Sequence, residues 1–249
     1  MGAGGMRGMA HIGVMQVLDE CGVPIDMVAG ASVGAFMGAA YAADMDLYYM
    51  AECARYLTTR DVLDVPIPFR DGYLSGRKME SICRIVTDDR EFSQTHIPFW
   101  CSALDLESGR LRYFHRGKLA QAVRASVAIP GVFRPSRIDG RWYIDAGMLE
   151  SVPSAILREN GADVVIAVDL YGDPPYPTEH LSPRTILYRS AEMMRDEIKR
   201  LRPTRADVTI RPDVSYIRQL RPEGAIGGIR TGRLAALDVL PEIHSILRR

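Results

Sequence analysis

The chain is poor in cysteine, carries no excess charge of either sign and has no long apolar run, and each shortage closes off a class of protein. Its four cysteines, Cys21, Cys53, Cys83 and Cys101, form no CxxC pair and lie beside no histidine cluster. That excludes a disulfide framework or a zinc site and points to a reducing compartment. Basic and acidic side chains balance at 31 each. A nucleic-acid binder needs a basic surplus on one face, so no nucleic-acid partner is expected. Lysine is reduced to Lys78, Lys118 and Lys199, which leaves anion contacts mainly to guanidinium forks. No apolar stretch approaches the roughly 20 residues that span a bilayer. No signal-peptide core opens the chain, and Met6 stands where a myristoylation signal wants Ser or Thr. The expectation is a cytoplasmic protein that meets any lipid surface transiently, through local arginines and apolar loops. Its oligomeric state is not legible.

What is present is enough apolar material, 47% of 249 residues, for one domain over residues 1–249. Ile12, Val14, Met15 and Leu18 recur at helical spacing within Met9–Cys21 until Gly22. Ile25–Ala29 reads as a strand, followed by a tight turn and a small-residue helix over Ala35–Ala43. Asp44 or Asp46 can cap the next helix, and Ser75 a helix over Arg77–Val86. Strands are expected at Phe99–Leu104 and Leu111–Phe114, joined by a Glu107-Ser108-Gly109 turn, and at Trp142–Ile144 and Val164–Leu170. Helices are expected over Lys118–Ser126, Arg184–Leu201 and Ile229–Leu247, with a short strand at Val208–Ile210 and a proline-rich loop or flap at Gly172–Pro183. Strands alternating with helices imply an α/β layered sheet.

Gly30-Ala31-Ser32-Val33-Gly34 fits G-x-S-x-G. Glycines on both sides of a serine let the backbone turn sharply from strand to helix and lift the hydroxyl clear of the sheet. The helix N-terminus also aims free N–H groups at any anion formed there. Small residues meet by chance, so the pattern gains force from the strand before it and the helix after it.

Gly2-Ala3-Gly4-Gly5-Met6-Arg7-Gly8 precedes the first helix and supports three readings. It is a phosphate cradle of the dinucleotide type, although no strand leads into it. It is an oxyanion hole, in which the amides of Gly4, Gly5 and Met6 face a developing charge. Or it is a glycine-rich, unstructured start.

Taken together, Gly4 to Val14, Gly30 to Ala35, Leu74-Ser75-Gly76, Ala103-Leu104-Asp105-Leu106, Arg124 to Phe133, Asp145-Ala146-Gly147 and Val152-Pro153 resemble the patatin-like phospholipase family, in particular its compact bacterial members. The resemblance covers nearly the whole chain. It implies a three-layer α/β/α fold and a Ser-Asp dyad without histidine: Ser32 as nucleophile, Asp145 as general base, and an oxyanion hole from Gly4, Gly5, Met6 and the Val33 N–H. Arg7, Gly8, Gly30, Gly34, Ala146 and Gly147 support the site, and no metal or cofactor is required. Without the resemblance, Asp145 before Ala146-Gly147 reads first as a turn former. As a base it must be desolvated, because a solvated carboxylate near pKa ~3.9 is weak toward a hydroxyl. Arg7 either ties the loop or meets a lipid phosphate, and Ser126 reads as a helix-end serine.

The implied activity is hydrolysis of lipid or other acyl esters. An acyltransferase on the same site and a non-catalytic lipid-binding regulator are the alternatives, and a nucleotide-binding protein is a weaker one. An α/β-hydrolase triad would need a histidine after the acid, which leaves His180 in the proline-rich loop and His244 in the last helix. Three departures from the family pattern stand out. Ala3 replaces the first glycine of the loop, Ala146 replaces the middle glycine of the aspartate motif, and the family's first strand is absent ahead of the loop, so an upstream start is expected. A methyl at either alanine is harmless where φ is negative and costly where it is positive.

Overall fold

The computed structural model describes residues 1–64, 74–171, 182–219, 221–222 and 224–248. A 3₁₀ turn, Gly5–Gly8, leads into α1 (Met9–Glu20), β1 (Val28–Ala31), α2 (Val33–Ala42), α3 (Leu47–Arg55), α4 (Thr59–Val62) and α5 (Arg77–Val86). Then come β2 (Phe99–Asp105), β3 (Leu111–Phe114), α6 (Leu119–Ser126), β4 (Ser136–Ile138) and β5 (Arg141–Ile144). The chain continues through α7 (Ala155–Glu159), β6 (Ile166–Val168), α8 (Pro183–Leu201), β7 (Val208–Ile210) and α9 (Ala225–Leu247).

Strand β2 organises the larger sheet. On one edge β1 runs parallel to it, with Ala31 opposite Ser102. The other edge is held from Cys101 to Leu104 by antiparallel β3. Strand β5 therefore takes up the first edge beyond the end of β1, antiparallel, with Ile144 opposite Leu104 and Tyr143 opposite Asp105. Strands β6 and β7 form a parallel pair. The Met1–Ala3 backbone joins that pair to β1: the Gly2 N–H donates to Val168 O at 2.9 Å and the Ala31 N–H to Met1 O at 3.2 Å.

Two apolar cores flank this layer. One joins α1, α9, β6 and β7 through Ile12, Val14, Leu170, Ile210 and Ile243. The other joins β1, β2 and α6 through Val28, Phe99, Cys101, Leu119 and Val123. Helix α2 serves both, with Met37 and Ala40 in the first and Ala35 and Ala39 in the second. Each fully buried Ile or Leu contributes about 1.5–3 kcal/mol over its exposed state. Helices α1 and α9 touch backbone to backbone: a Cβ on Gly13 would stand 1.9 Å from Ile229 O, and one on Gly232 2.1 Å from Ala10 O. This contact fixes α1, and α1 carries the glycine-rich loop at its N-terminus.

The arrangement is the expected mixed α/β fold with flanking helices. Asp46 caps α3, accepting from Tyr48 N and Tyr49 N. Local expectations need correction as well: the first strand, expected at Ile25–Ala29, is Val28–Ala31. The cap of α5 is Gly76 at φ 75° rather than Ser75, whose hydroxyl only reaches the Arg77 N–H at 3.4 Å. The strand expected at Val164–Leu170 contracts to Ile166–Val168, and the last helix begins four residues early, at Ala225 after Gly224. Apart from Ser182 and Pro183, the proline-rich stretch lies outside the described residues. Among the described residues no helix is long and apolar enough to cross a membrane.

Candidate active site

The register of β2 brings the two motifs together. Ala31 lies opposite Ser102, so Ser32 follows level with Ala103. Ile144 lies opposite Leu104 and β5 runs the other way, so Asp145 also follows level with Ala103. Strands β1 and β5 thus meet end to end along one edge of β2, with the serine and the aspartate at the junction. The Ser32 hydroxyl lies near enough to the Asp145 carboxylate to favour its ionised form.

Ser32 has φ 54° and ψ −123°, a region that L-residues rarely occupy, and it is the residue before α2. The turn is tight enough that a Cβ on Gly30 would lie 2.2 Å from Gly34 O, which explains the first glycine of the motif. Gly34 in turn faces the carbonyls of Met1 and Gly2. The backbone N–H of Ser32 donates to Ser126 Oγ at 2.8 Å, and Ser126, fully buried, is the last residue of α6.

Asp145 is buried, and burial raises its carboxyl to a pKa of about 6 against the opposing pull of the nearby Ser32 hydroxyl and of a hydrogen bond from the Gly147 amide. The Gly147 N–H reaches Asp145 Oδ1 at 2.7 Å. Ala3 and Ala146 are both fully buried, and neither is among the residues with positive φ, so their methyl groups carry no backbone strain. The Ala3 methyl fills the space a side chain on Gly147 would need: a Cβ there would stand 2.8 Å from it.

The glycine-rich loop lies against the serine turn. Gly8 abuts Val33, where a Cβ would come within 2.2 Å of Val33 Cγ2. Gly4 is extended at φ 165°, whereas Gly5 is left-handed at φ 56° and faces the Gln219 carbonyl. Among the described residues, Gly4 N, Gly5 N and Val33 N donate to no backbone carbonyl, which leaves them available as anion donors. The Met6 amide is different: it donates to Gln219 O at 2.8 Å, so the expected place of Met6 among the oxyanion donors is already taken. Arg7 Nε donates to Ile217 O at 3.1 Å, which ties the loop to the segment ahead of α9.

Among the described residues, neither His11 nor His244 joins Ser32 and Asp145 in a triad. His11 is fully buried on α1 with Nε2 2.8 Å from Gly2 O, and burial drives its pKa down to about 3, so it is a neutral brace behind the loop. His244 lines a surface hollow with Leu240 and Pro241 that shares no residue with the cavity beside Ser32. His180 lies outside the described residues.

That cavity, about 160 Å³, is lined in part by Ser32, Val33, Gly5 and Met6. It runs between α1, α2, α3 and α5, lined by Met9, Ile12, Phe36, Met37, Met50, Leu57, Met79, Ile82 and Val86, with Val127, Ile129 and Phe133 beneath. Its wall is almost wholly apolar, and Met6, Met9, Met37, Met50 and Met79 give it adaptable thioethers. The cavity and the role of Gln219 carry no sequence signature, because their residues come from separate elements and unpatterned loops.

The family model for the patatin-like phospholipases matches residues 1–158. An uncharacterised NTE family protein of Mycobacterium tuberculosis is 40% identical over 185 residues, 74% of this chain and 51% of that protein. The lysophospholipase nte1 of Emericella nidulans is 31% identical over 68% of this chain and 12% of its own length. Patatin-like phospholipase domain-containing protein 6 of Mus musculus is 32% identical over 88% of this chain and 17% of its own length. The chain thus spans about half or less of these relatives. VipD from Legionella pneumophila has the same fold, with a TM-score of 0.56 at 13% identity over 96% of this chain and 66% of its own. With a family match over more than half its length, and with serine and aspartate motifs that the fold brings to one point, this chain belongs to the patatin-like phospholipase family.

Proposed function

We propose that the protein is a serine acyl hydrolase that cleaves acyl esters of lipids through a Ser32–Asp145 dyad. The observation that carries this reading is the meeting of Ser32 and a buried Asp145 over Ala103, with Ser32 in the wall of an apolar cavity. Ser32 Oγ attacks the ester carbonyl while Asp145 takes its proton. The resulting oxyanion faces the amides of Gly4, Gly5 and Val33, and each such donor is worth about 2.7–4 kcal/mol in the transition state. Asp145 returns the proton to the departing alcohol as the carbonyl re-forms, leaving an acyl-serine. Water then attacks, its proton passing to Asp145 and on to Ser32 Oγ as the acid departs.

A carboxyl at about 6 is mostly ionised at neutral pH yet far more basic than a solvated aspartate, which suits it to this task. The apolar cavity suits an acyl chain, whose transfer from water contributes about 0.8 kcal/mol per buried methylene. The unstrained backbone at Ala3 and Ala146 favours a working site over a non-catalytic regulator. Labelling with a fluorophosphonate tests the reading: the wild type should be modified at Ser32, and Ser32→Ala and Asp145→Asn should abolish ester hydrolysis. A folded protein that does not label, with hydrolysis surviving Ser32→Ala, refutes it. Product analysis with an alcohol acceptor present separates hydrolysis from acyl transfer.

A further inference from the structure

Gln219 lies far from every motif in the sequence, yet it touches the glycine-rich loop, the cavity and α8 at once. Its carbonyl accepts the Met6 N–H at 2.8 Å. The same carbonyl faces Gly5 so closely that a Cβ there would be 2.2 Å away, which pins the left-handed turn at φ 56°. Gln219 also lines the cavity beside Ser32 and Gly5, and its side chain reaches α8. Two residues of α8 hold that side chain: Tyr188 Oη donates to Gln219 Oε1 at 3.0 Å, and Gln219 Nε2 donates to Glu192 Oε1 at 3.4 Å.

Glu192 is itself anchored. It is 3% exposed and ion-paired with Arg189 at 2.7 Å. Arg195, one turn on and equally buried, has its guanidinium 3.7 Å from the Tyr171 ring centre. Gln219 is therefore fixed from behind by a buried polar cluster and presses forward on the turn that orients the Gly4 and Gly5 amides.

We infer that Gln219 is a positioning residue for the oxyanion loop, and that α8, through Tyr188 and Glu192, sets where the loop's amides point. The inference rests on the serine hydrolase reading above. A carbonyl that fixes Gly5 acts on donors used only when the oxyanion forms. Displacing it should cost turnover and leave ground-state binding unchanged.

The experiment compares wild type, Gln219→Met, Tyr188→Phe and the double variant on a short-chain aryl ester, together with inhibition by an alkyl boronic acid, which forms a tetrahedral adduct with the serine. Gln219→Met keeps the side-chain length and loses both hydrogen bonds. It is expected to lower kcat by about tenfold to hundredfold, the scale of a small misplacement of catalytic groups. KM should stay within about twofold and the boronate inhibition constant should rise by the same factor as kcat falls. Tyr188→Phe should show a smaller loss of the same kind, and the double variant should be no worse than Gln219→Met, because both act along one route. Unchanged kcat in folded Gln219→Met overturns the inference. So does a loss seen only in KM with boronate binding unaltered, which marks a wall residue, and so does a fully multiplicative double variant. If Gln219→Met does not fold, Tyr188→Phe decides, since its kcat and boronate affinity must fall together. Fluorophosphonate labelling of the wild type separates the two levels: a wild type that labels beside unaffected variants sinks only the role of Gln219, whereas a wild type that neither labels nor binds boronate sinks the hydrolase reading beneath it.

Discussion

The hydroxyl of Ser126 accepts the backbone N–H of Ser32 at 2.8 Å across 94 residues of sequence, so the end of α6 holds the strained turn that carries the nucleophile. Removing that acceptor leaves a buried amide unpaired, at a cost of about 1–3 kcal/mol. Ser126→Ala should therefore unfold more easily in urea by that amount. It should also lose about tenfold in kcat, the scale of a shifted nucleophile, with little change in KM. An equal effect on kcat and KM would separate Ser126 from the serine turn.

The backbone of Ser32 stores strain that glycine does not feel. At φ 54° a side chain costs about 1–3 kcal/mol. Ser32→Gly and Ser32→Ala both lack the hydroxyl and should both be inactive. The glycine variant should nonetheless be the more stable of the two by about that margin in thermal or denaturant melts.

The buried carboxyl of Asp145 sets two opposite pH trends. Activity needs its ionised form, so kcat/KM should rise about tenfold per pH unit below about 6 and level off above it. Stability runs the other way. The folded pKa is raised above the unfolded value, so the stability that the protonated group contributes is complete below about pH 4 and is lost as pH rises through about 6. Compared with Asp145→Asn, the wild type should lose about 3 kcal/mol of unfolding free energy between pH 3 and pH 7.

The two adjacent glycines of the loop should respond unequally. Gly5→Ala places a methyl at φ 56° and 2.2 Å from Gln219 O, where only backbone can give way. It should cost a few kcal/mol and most of the fluorophosphonate labelling rate. Gly4→Ala keeps an ordinary φ and meets the Leu170 side chain at 3.0 Å, so it should be clearly milder in both measurements.

Ile82 lies on the α5 wall of the cavity, and filling the space beside it should shorten the preferred acyl chain. Ile82→Trp is expected to lower kcat/KM for long-chain esters by about tenfold or more while leaving acetyl or butyryl esters within about twofold, since each excluded methylene forfeits about 0.8 kcal/mol. A uniform loss across chain lengths would mean that the acyl chain lies elsewhere.

Much of this architecture is legible in the sequence because it follows from local rules. The apolar period of α1, the turn at Gly109 and the glycines around Ser32 each have a physical reason within a few residues. The Asp139-Gly140 dipeptide is a further local signal: both residues have positive φ and make the two-residue turn that pairs β4 with β5. The early start of α9 is masked in the sequence because Gly227 and Gly228 weaken the helical pattern, while Gly228 packs closely on Met9 and Ala10 of α1. Met6 was expected to donate to the oxyanion. Its N–H is consumed instead by Gln219, a partner more than two hundred residues away that no local rule connects to it. The Ser126 hydrogen bond and the cavity walls are of the same kind, since they depend on which elements the fold brings together.

The meeting of Ser32 and Asp145 over Ala103 makes β2 a ruler for the site. The separation of the two groups is counted in residues of that one strand, not in the length of the chain between them. Extra residues in the loops between β3 and β5 leave the count unchanged. A single residue inserted or deleted between Ser102 and Leu104 offsets the two strand ends by about 3.3 Å and turns one of them to the opposite side of the sheet. This short stretch should therefore be among the least tolerant of length variation in the protein, although neither of its outer residues carries any of the chemistry.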